Sequence, residues 1–90
     1  MITESLIIIN EHGLHARPAA QFVKIAGRFS SEIKVLKDGL EVNGKSIMGI
    51  MMLAAEPGSE IQLIIEGVDE AEALFALKEL INNKFYEEEE

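Results

Sequence analysis

Ninety residues, 48% of them hydrophobic, give room for one small domain with a true apolar core, and the absence of cysteine rules out disulfides or thiolate metal ligands as its support. The net charge of −8 argues against a nucleic-acid binder or an anionic-membrane binder, both of which draw their affinity from a basic footprint. No apolar run reaches membrane-spanning length and no basic, apolar leader opens the chain, so a soluble cytoplasmic protein is expected.

In chain order, Leu6-Ile7-Ile8-Ile9 reads as a buried strand and Asn10-Glu11-His12-Gly13 as a turn. Helical spacing follows from Ala16, with Ala19, Phe22, Val23, Ala26 and Phe29 recurring every three or four residues. Pro18 fixes the boundary, because a missing N–H is tolerated only in a helix's first turn. Ile33 to Leu36 and Leu40 to Val42 are short strands joined by Asp38-Gly39, a tight-hairpin dipeptide. Ser46 precedes a short methionine-rich helix, Ile47 to Ala54, which ends before Pro57-Gly58. Ile61 to Glu66 is the last strand, with Ile61, Leu63 and Ile65 facing the helices and Gln62 and Ile64 facing away. Asp69 caps a final helix whose apolar stripe is Ala73, Leu74, Leu77, Leu80 and Ile81.

The order βαββαβα predicts an α+β, two-layer open-faced sandwich: a four-stranded, mostly antiparallel sheet with three helices on one face. Ile7, Ile9 and Ile64 fall on the uncovered face. The domain is expected over residues 1–86, with 87–90 an acidic tail. Charge is uneven. Residues 1–50 hold six Lys/Arg against five Asp/Glu, and residues 51–90 hold two against eleven. Arg17, Lys24 and Arg28 share the first helix, a basic patch suited to an acidic protein surface.

The chemistry concentrates in Gly13-Leu14-His15-Ala16-Arg17-Pro18-Ala19. His15 falls at or beside the helix N-cap, where backbone N–H groups and the positive end of the dipole point outward, and Arg17 adds a planar cationic fork. Such a place suits an anion carried on an imidazole. His12 and His15 lie three apart on a turn, a poor arrangement for a shared metal, and His12 is read as a bystander. No metal or cofactor is implied.

This stretch resembles the active-site signature of HPr, the histidine phosphocarrier family of the bacterial phosphotransferase system. A second segment, Lys45-Ser46-Ile47-Met48-Gly49-Ile50-Met51, is similar to the regulatory serine segment of many members, and Glu66-Gly67-Val68-Asp69-Glu70 resembles the entry to the family's last helix. The likeness runs from Leu6 to about Phe85. It implies the open-faced sandwich fold and a phosphoryl group accepted on Nδ1 of His15 from enzyme I and passed to enzyme IIA domains. Ala16 would contribute its N–H and Arg17 its charge. It implies docking through Ala20, Lys24, Gly27, Ile47, Met48 and Met51, and phosphorylation of Ser46 by an HPr kinase/phosphorylase, with a transcriptional regulator as a further partner. A dianion at Ser46, near the His15 surface, would repel acidic docking groups. A monomer is the simplest expectation, acting as a stoichiometric carrier rather than an enzyme.

By residue type alone Ser46 is an ordinary N-cap and the methionines are core candidates. A nitrogen-type paralogue with a regulatory role also keeps the histidine motif. Two other classes predict different behaviour: a small RNA-binding domain, for which the strands lack stacking aromatics, and a phosphate-ester hydrolase, for which no second acid or base converges on the turn.

Overall fold

The computed structural model describes residues 1–86, so the acidic tail expected at 87–90 lies outside the described residues. Strand β1 (Ile2–Ile7) leads to helix α1 (Ala16–Ala26); strands β2 (Glu32–Lys37) and β3 (Leu40–Asn43) form a hairpin. Helix α2 (Ile47–Met52), strand β4 (Glu60–Glu66) and helix α3 (Glu70–Asn82) complete the βαββαβα order. The sheet is wholly antiparallel, in the order β1-β4-β2-β3.

β4 forms the sheet's interior for a reason visible in its residues. Its alternation places Ile61, Leu63 and Ile65 in the core, where Leu6, Ile33 and Val35 from the neighbouring strands join them. Phe22, Ala19 and Ala26 of α1, Ile50 of α2, and Ala73, Leu77, Leu80 and Ile81 of α3 close the layer from above. At the β2–β3 hairpin Asp38 and Gly39 both take positive φ, the backbone that a two-residue turn between twisted strands requires. The outward residues Ile7 and Ile9 are exposed, as the alternation predicted.

Three expectations need correction, and one element was not foreseen. The first strand begins at Ile2 and ends at Ile7, not at Leu6 to Ile9. Its polar opening is an edge strand whose Glu4 meets Lys78 of α3 at 2.5 Å. The helix α2 stops at Met52, because Ala54 takes a positive φ that no helix continues. Asp69 occupies the N-cap position of α3 without capping it. Its carboxylate instead accepts from the Ser30 and Ser31 N–H groups, at 2.9 and 3.0 Å, and from both serine hydroxyls. These contacts, the Ser31 hydroxyl and Ser30 N–H foremost, hold the Asp69 carboxyl down at about 2 rather than its ordinary 3.8. Beyond α3 a fourth, short 3-10 turn (Lys84–Tyr86) in left-handed backbone turns Phe85 fully into the core.

Candidate functional site

The turn before α1 is braced from both sides. Gly13 N–H donates to the Asn10 carbonyl at 3.3 Å, and the buried Asn10 side-chain amide donates to the Gly13 carbonyl at 2.7 Å. Leu14 is buried and its N–H donates to the Ala55 carbonyl at 2.9 Å, which ties the turn to the loop after α2. Gly13 sits at φ +68, where a Cβ would lie 2.1 Å from that same carbonyl oxygen. Only glycine fits there. The turn is therefore a fixed support for His15.

His15 is the N-cap of α1, extended at φ −80 and ψ −171, and its carbonyl accepts the helix's first ladder bond from Ala19 N–H at 2.9 Å. Its ring is exposed and makes no capping bond to the helix. Because Pro18 has no N–H, the first turn has just two backbone donors outside the ladder, those of Ala16 and Arg17. An N-cap serine or aspartate would occupy one of these donors. Here no side-chain cap does, and the exposed Arg17 side chain leaves from the same turn. An exposed imidazole, two N–H donors and a guanidinium thus share one end of one helix, an arrangement that can receive a tetrahedral dianion.

Reading His12 as a bystander missed its neighbour. The turn brings the His12 ring edge-to-face with His15, centroids 5.7 Å apart and planes at 80°. A histidine three residues ahead of another carries no periodic signal in a turn, so only the folded geometry reveals the pair. Among the described residues, no group of three or more His, Cys, Asp or Glu side chains is placed to hold a metal.

Helix α2 lies antiparallel to α1. Its far end joins the His15 turn through Ala55, whereas at its start Lys45 Nζ donates to the Phe29 carbonyl just past the end of α1, at 2.7 Å. Through Lys45, Ser46 is tied towards the Phe29 end of α1, whereas the loop after α2 meets the His15 turn. The Ser46 hydroxyl accepts from Gly49 N–H at 3.0 Å, so it does cap α2.

Between the two ends Ile47, Met48, Met51 and Met52 are exposed, Met48 at 75%, and Ile50 is the buried residue of α2. Ala20, Lys24 and Gly27 are exposed on α1. Met52 had no part in the expected docking set, although it stands one helical turn after Met48 and shares its exposure. A six-residue helix packed on one side leaves the other to solvent, and this is why these methionines are not core.

Among the described residues no helix is long and apolar enough to cross a membrane. Residues 2–83 match the family model described as the PTS HPr component phosphorylation site. The chain is 53% identical over 89 residues to the phosphocarrier protein HPr of Neisseria meningitidis serogroup A, covering 99% of this chain and all of that protein. The crystal structure of an HPr from Thermoanaerobacter tengcongensis superposes with a TM-score of 0.94 at 53% identity, covering 99% and 100% of the two chains. An HPr dimer from the same organism aligns over 97% and 100% of the chains at 53% identity, with a TM-score of 0.78.

Proposed function

The chain belongs to the HPr family of the phosphotransferase system, and from that premise we propose that His15 is the residue on which it carries a phosphoryl group between enzyme I and enzyme IIA domains. The observation that carries this reading is the exposed His15 ring at the N-cap of a helix whose first N–H groups, those of Ala16 and Arg17, the His15 side chain does not cap. In the loading step the N–P bond of the donor phosphohistidine breaks and a bond from phosphorus to His15 Nδ1 forms. The ring nitrogen supplies the electron pair and must enter without a proton. Such a transfer asks the protein for in-line positioning and dispersed positive charge rather than covalent help. Ala16 and Arg17 N–H groups meet the phosphoryl oxygens, and the Arg17 guanidinium balances their charge. Unloading retraces these steps with an imidazole of the next protein as acceptor, so the chain is consumed and regenerated stoichiometrically.

Docking falls to the exposed strip between the two helices: Ala20, Lys24 and Gly27 on α1, with Ile47, Met48, Met51 and Met52 on α2. Methionines adapt their shape to unlike partners, and Lys24 adds a positive charge that acidic partner surfaces would meet. Ser46 is the regulatory phosphorylation site in this reading, the target of an HPr kinase/phosphorylase, with a transcriptional regulator among the readers. A phosphate at Ser46 acts on whatever docks along the strip. The segment Ser46-Ile47-Met48-Gly49 favours the sugar-transport branch over the nitrogen-type paralogue. We place the carrier in the cytoplasm as a monomer, since His15 and the docking strip come from one copy.

The test is incubation with enzyme I and labelled phosphoenolpyruvate. Acid-labile, alkali-stable label on the wild type and none on His15→Ala is the expected result. A wild-type chain left unlabelled by an enzyme I that loads another HPr overturns the reading.

A further inference from the structure

The contact between the His12 and His15 rings has no place in the transfer as described above. Backbone bonds pin both residues: the Asn10–Gly13 turn closes on itself and Leu14 is tied to Ala55, so the two imidazoles meet by construction. The Nε2 atom of His12 lies 3.9 Å from a Glu11 carboxylate oxygen, and the His12 side chain is 67% exposed. An imidazole changes charge between about pH 5 and 8, unlike the guanidinium nearby.

We propose that His12 is a positioning residue for the phosphoryl group on His15: a second cation at the site, present only when protonated, beside the permanent cation of Arg17. The proposal rests on reading His15 as the phosphoryl carrier. Loading His15 adds up to about two negative charges to a ring whose centroid lies 5.7 Å from that of His12. Those charges favour the protonated His12 ring, and by reciprocity a protonated His12 favours the loaded state. Of the other charged groups on this turn and the elements packed against it, Glu11 is the one in contact with His12; Arg17 stands two residues past His15 on α1, and Glu56 belongs to the loop whose backbone packs against Gly13. Glu11 and Glu56 carry their charge whether or not His15 is loaded, whereas Arg17, which balances the phosphoryl oxygens, tempers the change that loading produces at His12. The consequence is a carrier that holds its phosphoryl group more firmly in mildly acidic than in mildly basic solution.

The experiment loads the full chain chemically with phosphoramidate, so that success does not depend on any donor protein. A single phosphohistidine phosphorus resonance, missing from His15→Ala, confirms the position. Proton NMR then follows the His12 ring across neutral pH with and without the phosphoryl group. The expected result is an upward move of the His12 titration midpoint by about half a unit to one unit on loading. Coincident midpoints overturn the proposal, as does loading on His12 itself. A second readout separates charge from packing: His12→Phe keeps a ring edge against His15 without the proton. The ratio of wild-type to His12→Phe loading, at equilibrium with a phosphohistidine donor, should rise about threefold to tenfold from mildly basic to mildly acidic pH. A ratio independent of pH leaves ring packing alone and overturns the charge role. Failure of enzyme I to load the wild type would strike the transport reading only, because the chemically loaded chain still reports the coupling.

Discussion

The starts of α1 and α2 are built from opposite choices. Ser46 spends its hydroxyl on the Gly49 N–H and closes the start of α2, whereas His15 makes no such bond and leaves the Ala16 and Arg17 donors of α1 without a side-chain cap. A closed start adds to the stability of the helix it opens. An open one forgoes that contribution and keeps its donors for something outside the chain. The open start is held in place by the Gly13 turn and by the bond from Leu14 N–H to the Ala55 carbonyl. One helix start is thus closed by its own side chain and the other is left open.

The contrast can be broken outright at His15. In His15→Asp a carboxylate caps α1, and stability should rise by about 0.5–1 kcal/mol in urea unfolding while phosphoryl acceptance from enzyme I falls to nothing. Next in size is the support of the open end. Gly13→Ala puts a Cβ against the Ala55 carbonyl oxygen in left-handed backbone, and a loss of about 2–3 kcal/mol is expected by denaturant unfolding, with slower loading of His15. At the closed end, Ser46→Ala removes the cap and should cost about 1 kcal/mol, leaving enzyme I loading of His15 intact. A matching loss of loading would show that the two ends are not independent.

The smallest effect concerns the third start, where the Asp69 carboxylate binds the Ser30-Ser31 turn rather than its own helix. Its folded value, about 2, lies below the ordinary 3.8, so the unfolded chain takes up the proton first as pH falls. The contribution is complete above about pH 4, shrinks through the window between the two values, and is gone below about 2. The melting temperature of the wild type should exceed that of Asp69→Asn at pH 5, and the gap should close on acidification towards pH 2.

Much of this was legible in the chain because it is local. Pro18 places the start of α1, Asp38-Gly39 the hairpin, and the alternation of Ile61, Leu63 and Ile65 the buried face of β4. What escaped depends on residues far apart in sequence. Glu4 on the core side of β1 makes sense only beside Lys78, and Asp69 reaches back to Ser30 and Ser31. Phe85 enters the core through backbone that no periodicity announces. In the site, residue types and the helix boundary marked His15, Ala16 and Arg17. The pairing of His12 with His15, and the tie from Lys45 beside Ser46 to Phe29 past α1, required the folded chain.

The strand order β1-β4-β2-β3 has a further consequence for how the chain is made. β1 is synthesised about fifty residues before its partner β4. At roughly 5–20 residues per second the first strand waits some seconds with its amides unmatched. Meanwhile the β2–β3 hairpin, closed by its two-residue turn, can assemble by itself. β4 is the strand that joins the two, pairing with β1 on one side and with β2 on the other, so the sheet cannot close before β4 has been made.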